Sequence, residues 1–589
     1  MAETLISPGV LARENDSSFI GGRPLTFGAA IIGPAVKGPV NIPTAVSSFS
    51  QYEAIFGGSV ESGSQFYTYL NSVAARNYFA QGGESLLVTR VVTGSFTSAV
   101  TSGSEAAANN SGIITLGFGD SDDAGYQKTS FQLSTISEGT IMNNYQAADS
   151  AGGTLDSGSS DNIRWEIGSV NTSSGQFSLF IRRGNDTQNQ KAILESYNNL
   201  SLDPTAPNYI AKAIGDTYYT IEQDGTDYYV KTNGSYANRS AYVYVSAVNT
   251  PTPQYFDNNG TFKNNFTGSM PAVGSGSFTS ATGVNFGDDQ QARFNENITS
   301  TNIQGLAPND YTSSIKLLSN VDDYQFNVIS APGLIGSLHG AQVTSLVALA
   351  QGRTDCISVI DLVPYNSTIG TVTNQAAGYD TSYSATYWPW LQTIDAATGQ
   401  TVWAPASTYI PAVYAFTDAS SDPWFAPAGL IRGALGSVIR AERKLTSGNR
   451  DTLYEANVNP IATFPGSGVV VFGQKTLQKR ASALDRVNVR RLLIALKSYI
   501  TQVSDNLVFE QNTIATRNNF LAQVNPYLES VQQRQGLYAF QVVMDETNNT
   551  PDVIDRNELV GQIYLQPTKT AEFVILDFNV LPTGATFPE

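Results

Sequence analysis

The chain has 589 residues, 41% of them apolar and only 14% charged, with a formal net charge of -17. That length is too great for one hydrophobic core, and the overall acidity argues against a general nucleic-acid binder, whose field must attract phosphate. One histidine, His339, and one cysteine, Cys356, exclude an intrachain disulfide and a zinc site built from several His or Cys ligands.

Residues 5–23 are polar, with Pro8, Gly9, Gly21 and Gly22 but no sustained period, and read as an extended arm. A core begins with a short apolar strand at 27–32, a helix over 64–80 through Phe66, Leu70, Val73 and Tyr78, and a β-branched strand at 85–92 of the kind buried on both faces. After Thr93 the chain becomes rich in Ser, Gly, Asn, Asp and Tyr, which marks an insertion. Inside it, 162–168 and 176–183 form one expected hairpin, and 227–231 with 240–246 form another around Asn233 and Gly234.

From Tyr324 the core pattern returns as strand (324–330), helix (338–351) and strand (356–363), the order of a βαβ crossover. The clearest helix spans 483–503, with Val489, Leu492, Leu496, Tyr499 and Val503 on one stripe, and a second helical stretch runs through Phe520 and Val524 to Val531. Residues 571–580 are a strand candidate. No basic stretch followed by an apolar one opens the sequence, and the longest apolar runs are far short of a membrane span, so no membrane insertion is expected.

Catalytic apparatus is not visible. His339 lies at the start of an expected helix, where a packed or capping role is expected, and Cys356 lies on a buried strand rather than at a helix N-terminus. Residues 33–38 have the spacing of a phosphate loop, but Pro39 and Val40 stand where Lys and Ser or Thr must follow. Residues 120–125 begin like a calcium loop, yet Phe131 occupies the place of the closing Glu. The paired acids Asp288 and Asp289, and Asp322 and Asp323, point to opposite faces of an extended chain. The expectation is no catalytic residue, no cofactor, no metal and no enzymatic role.

The most informative stretch starts at Asp422 and reads DPWFAPAGLIRG, then YEANVNPIATFPGSGVVVFGQKTL, then DRVNVRRLLIALKSYI. Its last third gathers Lys475, Lys479, Arg480, Arg486, Arg490, Arg491 and Lys497 against the single acid Asp485, a local reversal of sign. On a helix Arg486, Arg490 and Lys497 fall within about 40° of one another, away from the apolar stripe. These blocks closely resemble the C-terminal half of the tail sheath proteins of contractile-tailed bacteriophages. The resemblance extends to YSATYWPWLQTIDAATGQTVWAPASTYIPAVYAFTD, read as ending in a strand, to SPGVLARENDSS and GAAIIGPAVKGPVNIPT near the start, and to LESYNNLSLDPTAPNYIAKAIGD in the middle. Most of residues 97–323 stay unmatched.

The expected fold is mixed α/β, an α/β sandwich-like core with extended N- and C-terminal arms and an inserted β-rich region of one or two small domains. The segments are an arm (1–24), core (25–95), surface-exposed insertion (96–323), resumed core (324–480), a C-terminal helical domain facing the tube (481–570) and a terminal strand and arm (571–589). The resemblance implies a structural subunit of the virion tail, assembled in the host cytoplasm, that stacks as hexameric rings around a tail tube. It implies contraction that drives the tube through the host envelope during genome delivery. Implied partners are further copies of the chain, the tail tube protein, and baseplate and tail terminator proteins, without nucleic acid.

Arms of this family donate strands to neighbours, so Leu5, Ile6, Val10, Phe573, Val574, Ile575, Leu576, Phe578 and Val580 are candidate donors; packing of both ends on their own core is the alternative. Candidate tube-facing residues are Lys475, Lys479, Arg480, Arg486, Arg490 and Lys497, against internal pairing of Arg490 or Arg491 with core acids. A tail adhesin or spike that binds host glycan, or a carboxylate-dependent glycan-cleaving tail protein, is the other functional reading. Neither accounts for the arms or for the block at Asp422.

Overall fold

The structure, a computed structural model, describes residues 28–62, 65–101, 113–116, 127–144, 153–284, 298–396 and 399–572. The candidate strand donors Leu5, Ile6, Val10, Phe573, Val574, Ile575, Leu576, Phe578 and Val580 lie outside the described residues, as does the strand expected at 571–580 beyond Glu572.

An eight-stranded sheet organises the core, in the order Thr44–Val46, Leu86–Arg90, Ala29–Gly33, Val328–Ile335, Ile357–Asp361, Ser384–Trp388, Asn459–Phe464, Gly468–Val471. Ala29–Gly33 lies parallel to Leu86–Arg90 on one side and to Val328–Ile335 on the other, so strands more than 200 residues apart in the chain share one ladder. The interior strands are parallel, and the two outermost pairs are antiparallel.

Parallel strands need cover on both faces, and the alternation of their side chains shows how it is met. Ala29, Ile31, Val328, Ile357 and Val359 join one cluster, with Tyr52, Leu70, Tyr78, Ile410 and Tyr414 from helices Phe49–Phe56, Leu70–Ala80 and Ile410–Ser420. Ala30, Ile32, Ile329 and Ile360 join the other, with Tyr311, Val343, Leu346 and Val372 from helices Tyr311–Leu317, Gly340–Arg353 and Ile369–Ala376. The result is an α/β sandwich, in which each fully buried Ile contributes roughly 1.5–3 kcal/mol. Ile303, Leu306, Tyr311, Ile315 and Leu318, read from sequence as part of the insertion, pack in this second cluster.

The inserted region carries two larger sheets besides the two-stranded sheet Tyr218–Asp224 with Asp227–Asn233. One runs Ile193–Ser201, Gln176–Arg183, Ile163–Asn171, Gly274–Gly276, and the other runs Val243–Val248, Gln127–Glu138, Ser98–Thr101, Phe278–Thr279. Both feed one cluster around Trp165, Phe131, Phe177 and Phe278. Buried Arg90 ties this region to the core by donating to the carbonyls of Gly38 (2.6 Å) and Glu138 (2.8 Å), and Lys37 reaches the Asp161 carbonyl at 3.1 Å.

Three elements differ from the sequence expectation. The helix expected over 64–80 begins only at Leu70, because Gln65–Thr68 pairs with Ser59–Ser62 and alternation, not helical spacing, buries Tyr67 and Tyr69. Asp227–Asn233 pairs with Tyr218–Asp224, not with the strand after it. Asn233 and Gly234 do turn the chain, but the Asp216 carboxylate accepts from the amides of Ser235 (2.8 Å) and Tyr236 (2.6 Å) and redirects it, so Val243–Val248 joins Gln127–Glu138 instead. The segment ending in Thr417 and Asp418 is the helix Ile410–Ser420, with Pro411 in its first turn, where its fixed φ favours a helix start.

Candidate functional site at the root of the C-terminal segment

The helix Val487–Asp505 crosses from the core into a separate C-terminal unit. Its later residues Leu492, Leu496 and Val503 pack with Phe520, Val524, Leu528 and Val531 of the antiparallel-running partner Ile514–Gln533, whose N-terminus is capped by Thr513. A hairpin of Leu537–Val543 and Gln562–Pro567 lies on the same cluster through Leu537, Phe540, Val542, Ile563 and Leu565. Its other face exposes Tyr538 and Tyr564, at 63% and 56%. Among the described residues this sheet has two strands and no others, so each strand keeps one edge of backbone donors and acceptors without a ladder partner. Two strands are marginal as a sheet, and such edges are templates for added strands.

Where the hairpin leaves for the C-terminal segment, the chain is fastened. Glu572 accepts from Arg486 Nε (2.7 Å) and Nη2 (3.0 Å), from the Tyr454 hydroxyl (2.8 Å) and from Gln474 Nε2 (3.1 Å). Gln474 Nε2 also donates to Thr570 Oγ1 at 2.6 Å. Burial, then the adjacent Glu572 carboxylate, push the Tyr454 phenol well up, so it remains a donor. The partners stand up to 118 residues from Glu572 in sequence, and no local signal could have shown them.

The basic cluster largely holds the molecule together. Lys475 donates to the Tyr454 carbonyl (2.7 Å) and sits 4.4 Å from that ring's centroid; burial, then the Arg486 charge, lower its pKa. Lys479 is exposed and donates to the Ala377 carbonyl at 2.8 Å, and Arg486 pairs with Asp485 as well as Glu572. Arg491 is buried, with Nη2 at 2.6 Å from both oxygens of Asp418. Arg490 is also buried, over the Tyr383 ring at 4.0 Å and bonded to Ser382, which corrects its expected place on an exposed face. Helical angle alone grouped it with Arg486 and Lys497. Because the helix crosses between two packed units, the same side of it is covered near Arg490 and open at Lys497. Arg480 and Lys497 are exposed.

Family models give the decisive likeness: the phage tail sheath protein central domain matches residues 304–477, and the phage tail sheath C-terminal domain matches residues 480–580. These two matched regions, residues 304–477 and 480–580, are similar to phage tail sheath domains. It is 43% identical over 187 residues to the tail sheath protein of Vibrio phage KVP40, covering 32% of this chain and 28% of that protein. To the tail sheath protein of Enterobacteria phage T4 it is 33% identical over 261 residues, 41% of this chain and 40% of that protein. The aligned part thus spans less than half the length of these relatives. The crystal structure of the sheath tail protein Lin1278 from Listeria innocua superposes with a TM-score of 0.51 over 92% of this chain and 95% of that one, at 12% identity, a likeness of fold.

Elsewhere in the chain three titratable groups, His339, Cys356 and Asp361, are buried in the packing. His339 precedes the helix Gly340–Arg353, its Nδ1 accepting from the Ile335 amide (3.0 Å) and its Nε2 2.8 Å from the Thr299 carbonyl; burial lowers its pKa. Burial pushes the Cys356 thiol up, away from reactivity. Asp361, fully buried at the end of its strand, accepts from the Ser407 amide (3.1 Å) and hydroxyl, and burial raises its pKa to about 7. Because the folded value lies above the unfolded one, its contribution is full below about pH 4 and is lost as pH rises through 7. Asp361→Asn is therefore expected to gain stability relative to wild type as pH goes from 4 to 7, approaching ~4 kcal/mol at most, with a constant difference above. Thermal melts of both proteins across that range check this; a pH-independent difference would place the proton elsewhere.

Proposed function

We propose that the chain is the structural subunit of a contractile phage tail sheath. In this reading it polymerises as stacked hexameric rings around a tail tube and contracts to drive the tube through the host envelope, a mechanical and not a catalytic role. Its partners would be further copies of itself, the tube protein, and baseplate and terminator proteins, in a virion tail assembled in the host cytoplasm. The work would come from a lower free energy of the contracted lattice, held back by a barrier set at assembly.

The observation that carries the reading is the pair of sheath-domain matches, the second of which contains the C-terminal unit with its open two-stranded sheet. A strand added to either edge would complete main-chain hydrogen bonding and cover apolar residues, and residues 1–24 and 573–589 are the segments proposed to supply it from neighbouring copies. Arg480 and Lys497 are the exposed charges proposed to meet an acidic tube. An adhesin or glycan-cleaving protein would not account for the two domain matches.

Concentrated purified protein is expected to form hollow tubes under negative-stain microscopy, since without a tube to template the extended state the lower-energy lattice should form. A lasting monomer at high concentration would overturn the reading.

A further inference from the structure

We propose that the Glu572 clasp is a force anchor, which passes tension on the C-terminal segment into the core and keeps it off the hairpin. The inference rests on the proposed exchange of that segment between copies. Topology poses the problem: Gln562–Pro567 runs into the segment through residues 568–572, and among the described residues it is bonded on one side only, to Leu537–Val543. Tension applied beyond Glu572 would otherwise fall on the end of that strand and open its ladder one pair at a time. The strand also forms part of the sheet that would receive a neighbour's strand, so peeling it would destroy the acceptor at the moment the donor is loaded.

The clasp meets this need in three ways. Its donors come from the core side of the molecule: Tyr454 from the helix Ser447–Glu455, Gln474 from the segment after Gly468–Val471, and Arg486 from the start of the long helix. Arg486 makes a two-point, charge-assisted grip on the carboxylate, among the stronger hydrogen-bonded contacts available to side chains. Both side chains are partly buried, 25% and 18% exposed, which limits screening by salt, and Asp485 at 3.0 Å holds the guanidinium in place from the other side. Gln474 adds a second hold at Thr570, so the chain is gripped at two points between the strand and the segment.

The test uses full-length protein carrying Glu572→Gln, Glu572→Arg, Arg486→Glu, or Arg486→Glu with Glu572→Arg. Hydrogen exchange of the amides of 562–566 is measured on unassembled protein. Each single variant should exchange roughly tenfold faster with an unchanged far-ultraviolet circular dichroism spectrum, and the charge-swapped double should recover much of the protection. Optical-tweezer pulling through the C-terminus should rupture the hairpin at lower force in Glu572→Gln than in wild type. Unchanged exchange and rupture force in the single variants overturn the anchor, even if every variant forms tubes. If wild type forms no tubes while exchange and force respond as stated, the sheath reading falls and the anchor stands.

Discussion

Truncation after Glu572 is expected to abolish polymerisation while leaving a folded, soluble subunit. The hydrophobic clusters are built from residues that precede Glu572, and the side chains that donate to Glu572 all remain. The removed residues begin FVILDFNV; on an extended chain Phe573 and Ile575 face one side, and Val574, Leu576, Phe578 and Val580 the other. A strand apolar on both sides belongs inside a sheet with cover on both faces. If the receiving sheet belongs to a neighbour, the deletion removes a bond between subunits and spares the donor. If it belongs to the same chain, the deletion opens a core and should destabilise by several kcal/mol, enough to unfold a marginal domain. Circular dichroism with sedimentation separates the two, and an unfolded or aggregated truncation would refute the donor role.

The largest stability loss from a single substitution is expected at Arg491. Its guanidinium lies 4.6 Å from the Tyr414 ring centroid and within 2.6 Å of both Asp418 oxygens, joining the long helix to the helix Ile410–Ser420. Burial raises the Asp418 pKa, and Arg491 opposes that shift. Arg491→Ala leaves the Asp418 carboxylate, 25% exposed, without its buried cation, a loss of about 2–3 kcal/mol, below the roughly 3–5 kcal/mol of a fully buried pair. Without the cation the folded pKa of Asp418 rises further above its unfolded value, so the loss should be greater at pH 8 than at pH 5. Urea unfolding at the two pH values measures it, with Asp418→Asn in the Arg491→Ala background expected to recover part. A loss under about 1 kcal/mol, the range of an exposed pair, would mean that water screens the contact. Lys497→Glu, on the exposed end of the same helix, should change stability by no more than ~0.5 kcal/mol.

Periodicity located the buried strands at Ala29–Gly33, Leu86–Arg90 and Ile357–Asp361, and both long helices, because a continuous apolar run or a stripe of period 3.6 states the element's burial directly. The composition change after Thr93 coincides with the chain leaving the eight-stranded sheet after Leu86–Arg90, to which it returns at Val328–Ile335. The pairing of Asp227–Asn233 was not legible, since Asn233 and Gly234 make a good turn on any path and the Asp216 carboxylate, 19 residues away from Ser235, chooses the path.

Local sequence was enough to specify which segments are apolar on one face or two, where the charge reverses sign, and which motifs carry the sheath resemblance. These depend on neighbours within a few turns of chain. Tertiary structure alone decided what the charges do. Arg490 and Arg491 turned inward because the long helix bridges two packed units, and a helical wheel records angle without recording what lies against it. Glu572 found Arg486 across 86 residues, and Tyr454 and Gln474 with it, because the hairpin returns the chain to the helix start. Long-range contacts of this kind follow from the summed packing of the sheet and helices, and no single stretch of residues contains them.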